Sequence, residues 1–295
     1  MTFQTFRDRV FSLVSAQTPI GKTIGMRTVQ KNNGVFLTGI YAEDEKAGTL
    51  APIAYLEPFY EAAPENPDCS GAAEAILKLL FETDRPPMDA AQFTDPDFLL
   101  EHTVLKLVNR EGNGGLLKEA PHRPFLDLAA VLLIYLPDIP MGKGFVTVRR
   151  FMLERAGLSQ DKLYEHALAN TKRLFGECLV DMNAVIFGEE APDTDAADVD
   201  PSAYFVLSNR ESYFGATVLL YGDSLRRLSE KLEDDLLIIP ASVHEVLVTR
   251  KEGKNTKELR ELIRKVNHET ISSEEVLSDS LYCYERAYDR VVTVE

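Results

Sequence analysis

The chain contains no tryptophan, so any stacking platform for a base or sugar must be built from Phe or Tyr. Cysteine is scarce: Cys69, Cys178 and Cys283 are odd in number and widely separated. No pair has the C-x-x-C spacing of a zinc knuckle or redox motif, which predicts free thiols in a reducing compartment. Bases are in deficit, with 32 Lys and Arg against 47 Asp and Glu and a net charge of −15. A surface that acidic repels phosphate backbones, whose binding needs basic groups to displace counterions. Direct nucleic-acid binding is therefore disfavoured, although an acidic decoy for a nucleic-acid-binding protein would share this charge. Long apolar runs are missing as well. The longest, "LAAVLLIYL" from Leu128 to Leu136, is far shorter than the ~20 residues of a membrane span. The opening "MTFQTFRDRVFSLVSAQ" carries Arg7, Asp8 and Arg9 where a signal peptide needs an apolar core. A cytoplasmic protein with no membrane partner is expected.

What is present has a globular balance, 45% hydrophobic and 27% charged, in a length of 295 residues that allows one large domain or two ordinary ones. Charge is unevenly spread. The stretch "GEEAPDTDAADVDPS", 188–202, holds six acids and no base, and the remainder still carries −9. It has the composition of a solvated linker.

Phe3, Phe6, Val10, Leu13 and Val14 recur at helical spacing and predict an opening helix that ends near Thr18-Pro19. "TIGMRTVQ" and "GVFLTGIYA" are strand-like, and the Asn33-Gly34 step between them favours a hairpin turn. "APIAYLEPFY" is expected as a third strand stopped by Pro58, followed by a helix over Ala72–Phe81. "HTVLKLVN" and the doubly apolar "FLDLAAVLLIYLP" are expected strands, the second covered on both faces. Ser159 caps a helix that buries Leu163, Ala167, Leu168 and Phe175. Asn170 and Thr171, late in that helix, are expected to bond to neighbouring loops. "AYFVLSN", "GATVLLY", "DLLIIPAS" and "VHEVLVTR" follow as strands, with the helix "DSLRRLSEKL" among them. Asn255 and Glu258 form a capping box before Leu259, Leu262, Ile263 and Val266. "SLYCYERAYDRVVTV" closes as a hairpin. Strands and helices mix without βαβ alternation, which predicts an α+β fold of mixed, largely antiparallel sheets flanked by helices. Two modules, 1–188 and 202–295, are expected about an acidic linker at 189–201.

Several motifs resemble chemistry and fail on spacing. "HEVLV" has Val248 where a zincin helix needs its second histidine. Gly21-Lys22-Thr23 resembles the end of a phosphate loop, but Ala16 replaces the required glycine and the strand–helix order is reversed. Ser242 and His244, two apart on a strand, would stand about 6.6–6.8 Å apart along its axis, whereas a nucleophile–base pair needs about 2.6–3.2 Å. His244 and neighbouring Glu245 are expected to belong to a packed strand. In "EAPHRPFLDLA", Asp127 enters an apolar strand, where an acid is costly unless partnered, and His122 or Arg123 is the expected partner. Tyr55, Glu57 and Tyr60 around Pro58 form a polar-aromatic patch suited to core packing or a partner surface. His102, His166 and His268 lack companions at ligand spacing, so neither a metal nor a cofactor is expected.

Phrases along the chain, "KNNGVFLTGI", "IAYLEPFY", "HRPFLDLA", "LYEHALANTKRL", "GATVLLYGDSLRRLSEKLEDDLLIIPASVHEVLV" and "EVLSDSLYCYE", resemble a bacterial family catalogued as domain of unknown function 5688. The segments beginning "HRPFLDLAAVLLIYLPD" and "GATVLLYGDS" are more remotely similar to domain of unknown function 1444. The resemblance implies one architecture and supplies no catalytic residue. A non-enzymatic binding or regulatory protein with a protein partner is expected. The alternatives are a hydrolase assembled from His122, Asp127, Ser242 and His244 between the modules, and the acidic decoy. Oligomeric state is not indicated.

Overall fold

Helix α1, Phe3–Gln17, begins where the Thr2 hydroxyl accepts from the Thr5 N–H. Phe6, Val10 and Val14 share one side at a spacing of four, and all three are fully buried. The computed structural model describes residues 1–43, 52–82, 90–139, 142–187, 200 and 202–294. The expected acidic linker lies outside the described residues except for Asp200. The chain divides into two compact units, Met1–Thr94 with Leu136–Gly144, and Asp95–Tyr135 with Phe145–Glu295. The boundary expected at 188–202 falls inside the second of these.

In the first unit, β1 (Thr23–Gln30), β2 (Phe36–Glu43) and β3 (Ile53–Tyr55) form an antiparallel sheet. The expected turn between β1 and β2 places Asn33 at φ 54° and Gly34 at φ 71°, the left-handed region those residues tolerate best. The third strand is shorter than expected. It ends at Tyr55, and Pro58 sits in the first turn of α2, Glu57–Glu61, where its missing N–H costs no helical bond. Asp68 then caps α3, Cys69–Leu77, accepting from the Ser70 and Gly71 N–H groups. Ile40, Leu56, Ala73 and Ile76 join the α1 residues in one core.

The second unit contains α4 (Pro96–His102), β4 (Thr103–Asn109), α5 (Gly114–Glu119), β5 (His122–Phe125), β6 (Leu128–Ile139) and β7 (Gly142–Thr147). Of these last two strands, Leu136–Ile139 and Gly142–Gly144 count with the first unit and the rest with the second. The sheet order is β4-β6-β5, with β7 also on β6. Asp127 is not inside the expected strand; it lies in the turn between β5 and β6, beside Leu126 at φ 54°. Helices α6 (Arg150–Ala156) and α7 (Gln160–Phe175) follow, the latter capped by Ser159. Among the described residues strand β4 pairs only with β6, so its outer N–H groups need other acceptors. Thr171 Oγ1 accepts from Leu105 at 2.9 Å and Thr217 Oγ1 from Leu107 at 3.2 Å. Asn170 Nδ2 donates to the Leu100 and Thr103 carbonyls.

The largest sheet uses β8 (Cys178–Asp181), β9 (Tyr204–Ser208), β10 (Leu236–Pro240), β11 (Val246–Arg250), β12 (Tyr282–Glu285) and β13 (Arg290–Thr293). Its order is β13-β12-β10-β11-β9-β8, with antiparallel pairing throughout. Helices α8 (Met182–Phe187), α9 (Ser224–Leu232) and α10 (Thr256–Glu269) are interleaved with these strands in sequence. The expected strand "GATVLLY" is instead a tight helical segment, Gly215–Leu220, entered through Phe214 at φ 54°. Its first five residues are all buried, so no exposed side remained to reveal a period. The α+β class holds in both units.

Candidate functional site

Each of the polar residues singled out in the sequence has its own partners. Asp127 accepts three hydroxyl hydrogen bonds: Tyr282 Oη at 2.6 Å, Ser278 Oγ at 2.6 Å and Ser280 Oγ at 3.1 Å. Neither expected partner is among them. Arg123 pairs with Asp161 at 2.7 Å and lies over the Tyr164 ring, while His122 Nδ1 faces the Ala120 carbonyl at 3.0 Å. Hydroxyls suit this carboxylate because each donates one short bond without bringing a second charge into the interior.

Ser242, His244 and Glu245 form the connection between β10 and β11, which corrects the expectation that the last two lie within a strand. Ser242 Oγ accepts from the His244 main-chain N–H at 3.0 Å, and the Ser242 N–H donates to the Glu245 carbonyl at 3.0 Å. The serine oxygen therefore contacts the histidine's backbone. His244 Nδ1 lies 3.3 Å from the Phe214 N–H and 3.1 Å from the Ser212 carbonyl, so its tautomer selects which bond forms. Its Nε2 is 4.0 Å from the Glu275 carboxylate, and its ring stacks on Phe214. These contacts fix a loop; they do not aim a base at a nucleophile.

In the first unit, Tyr60 donates to the Met1 carbonyl at 2.7 Å and packs on Phe3 and Phe6. Glu57 Oε1 accepts from the Thr38 N–H at 2.6 Å, and Lys31 Nζ sits 3.8 Å above the Tyr55 ring. The Tyr55, Glu57 and Tyr60 patch therefore ties α2 to α1 and to β2. Among the described residues no three His, Cys, Asp or Glu side chains cluster as metal ligands would. No described helix is long and apolar enough to cross a membrane.

Four tyrosines couple stability to pH, among them Tyr164, whose hydroxyl is raised by burial. Burial, reinforced by the Asp289 carboxylate, pushes the Tyr284 hydroxyl up to about 12. Tyr221 and Tyr282 are driven higher still, mainly by burial, with help from Glu177 and Asp127 respectively. Each folded pKa exceeds the unfolded value of about 10, so the contribution is complete below that pH and is lost as pH rises through the folded values. The urea midpoint should therefore fall as pH rises from about 10 toward about 12. A flat profile over that window would show that these tyrosines ionise as easily folded as unfolded.

A different feature of the second unit has the form of a binding site. The large sheet has two unlike faces. On one, Phe205, Leu207, Leu236, Ile238, Val246, Val248 and Tyr282 are almost completely buried. The register puts Tyr204, Val206, Ile239 and Leu247 on the other face, where each is only half-buried. Helix α10 covers part of this second face, with Ile263 packed on Leu237, Leu281 and Cys283. The uncovered part is a groove of about 390 Å³. Tyr204, Ile239 and Leu247 line it from three adjacent strands, Leu259, Leu262 and Val266 from α10, and Met182 from the start of α8. Leu262 remains 53% exposed, and beyond Met182 so do Val185 (54%), Ile186 (62%) and Phe187 (74%).

Sequence periodicity assigns the apolar side of α10 to the core and passes over this groove. The signal was nonetheless present. Val185, Ile186 and Phe187 are consecutive, and on a helix of about 3.6 residues per turn they cannot all face inward.

No curated protein and no solved structure matches the chain. Residues 3–286 match the family of unknown function DUF5688, and the chain belongs to that family.

Proposed function

We propose that this chain is a binding protein rather than a catalyst, and that the groove between α10 and α8 is where it binds. The observation carrying this reading is the apolar lining left open to solvent, from Leu247 and Ile239 on the sheet to Leu262 and Val266 on α10. Apolar surface kept exposed forgoes about 25 cal/mol per Å² of burial, and extended patches of it usually mark recognition sites. The hydrolase alternative draws no support from the geometry. Asp127 is taken up by hydroxyls, and His244 Nδ1 faces main-chain groups of the 212–214 loop.

An environment-sensitive anilinonaphthalene dye tests this reading. Its fluorescence should rise on binding the native protein. The pair Leu247→Gln and Leu262→Gln should weaken binding by at least about tenfold, because together they remove part of the roughly 1.5–3 kcal/mol that full burial of each leucine contributes, and about 1.4 kcal/mol is a factor of ten. Leu262→Gln alone should leave the unfolding midpoint unchanged, since that side chain is exposed. Equal dye affinity in native and doubly substituted protein would remove the groove from consideration.

A further inference from the structure

We propose that His244 is a proton-operated latch on the loop 209–214, holding it by one hydrogen bond when neutral and by a different one when charged. The inference is independent of the groove.

The loop is clamped from two sides. Asn209, only 2% exposed, accepts from the Glu211 N–H at 3.1 Å and donates to the Tyr213 carbonyl at 2.8 Å. A side-chain amide keeps the same donors and acceptor at every ordinary pH, so this clamp is constant. On the other side His244 meets the loop through a single nitrogen. The Phe214 N–H is aimed at Nδ1 at 3.3 Å, and the Ser212 carbonyl lies 3.1 Å from the same atom. One nitrogen cannot accept from the first and donate to the second at once. In the neutral ring with its proton on Nε2, the Nδ1 lone pair receives the Phe214 N–H. Ser212 is exposed, so water serves its carbonyl in that state. In the imidazolium both nitrogens carry hydrogen, and Nδ1 becomes a donor. The Phe214 bond is then lost and the Ser212 bond is made.

The surroundings let a proton matter. The His244 side chain is 33% exposed, so protons from solvent reach it. Its Nε2 is 4.0 Å from the Glu275 carboxylate, whose pull strengthens once the ring is charged. Against this stands the Lys106 ammonium, 4.3 Å above the Phe214 ring on which the imidazole stacks. The loop itself adds Arg210, Glu211 and Tyr213, and Glu245 is next in sequence to the histidine. Of these residue types only histidine ordinarily changes charge between pH 5 and 8.

Backbone geometry gives the exchange of bonds a consequence. Ser212 and Phe214 are both held at φ 54°, a conformation that such residues keep only where their contacts impose it. Taking the acceptor from the Phe214 N–H withdraws one of those contacts. The same loop brings Arg210 and Glu211 to a polar hollow of about 310 Å³, which Lys172 and Arg173 also line. What the latch releases is therefore a charged rim of that hollow.

The test is nitrogen NMR of the full chain, labelled at phenylalanine amides and histidine rings and titrated from about pH 8 to about pH 5. Phe214→Leu and His244→Gln identify the two signals. At the upper pH the His244 Nδ1 should show the shift of a nitrogen bearing a lone pair. The Phe214 amide should then move with the same midpoint as the ring. Its protection against hydrogen exchange, corrected for the intrinsic effect of pH, should fall several-fold, up to about tenfold. His244→Gln keeps an acceptor that does not titrate, so it should hold that protection constant. A neutral ring with its proton on Nδ1 overturns the latch, because the Ser212 bond would then be present in both charge states. A Phe214 amide that stays still while the ring titrates overturns it as well. Equal movement in His244→Gln would assign the change to another group and overturn it. Should that variant fail to fold, the ring and amide signals of the native protein decide between these outcomes by themselves.

Discussion

Asp127→Ala is expected to destabilise the protein by about 3–5 kcal/mol, read as a fall in the urea midpoint. The carboxylate holds three hydroxyls at 2.6–3.1 Å, and two of their residues, Tyr282 and Ser278, are fully buried. A hydrogen bond to a charged group contributes about 1.5–3 kcal/mol, and each buried hydroxyl left without a partner costs about 1–3 kcal/mol. Water cannot make up this loss where the hydroxyls are enclosed. The same carboxylate follows Leu126, held at φ 54°, a conformation costly for a branched side chain. Its anchorage to the segment 278–282, which leads into β12, therefore fixes the β5–β6 turn. Asp127→Asn keeps one acceptor oxygen and should cost less. Combining Asp127→Ala with Tyr282→Phe should cost less than the sum of the two changes, because the second removes the orphan that the first creates. A loss below about 1 kcal/mol for Asp127→Ala would mean that the hydroxyls find other acceptors and that the turn does not depend on them.

Gly215→Ala should cost about 3 kcal/mol, at the upper end for overpacking. A β-carbon there would collide with Ser208 Oγ and the His244 carbonyl, and would approach the Asn209 nitrogen to 2.8 Å. Two of these are main-chain atoms and cannot rotate away. The Ser208 hydroxyl also donates to the His244 carbonyl at 2.8 Å, so pushing the segments apart breaks a bond as well as creating a clash. Ser208→Ala in the same chain should recover only part of the loss, because the His244 carbonyl stays in place. Native-like near-ultraviolet circular dichroism and an unchanged midpoint for Gly215→Ala would show that the loop yields, contrary to this packing. The residues around Gly215 make a large effect credible: Ser212 and Phe214 are both held at φ 54°, and the His244 ring is stacked on Phe214. A loop already in a sparsely populated conformation has little freedom to absorb an extra atom.

What the sequence by itself determined was local. The spacing of Phe6, Val10 and Val14 set α1, the Asn33-Gly34 step set the β1–β2 turn, and Asn255 capped α10 by accepting from the Lys257 and Glu258 N–H groups. Each of these depends on neighbours within about two helical turns, and periodicity reports such relations directly. The tertiary structure decided the rest. Gly215–Leu219 is buried on every side, which erases the contrast between inward and outward positions on which a helix–strand distinction depends. Asp127 takes partners 151, 153 and 155 residues away, although Arg123 and His122 stood close by in sequence. The groove exists only because strand register brings Tyr204, Leu247 and Ile239 side by side on a face that α10 covers in part. An apolar residue in sequence marks a side chain that avoids water; which surface covers it, or leaves it open for a partner, is set by long-range strand pairing that no local pattern encodes.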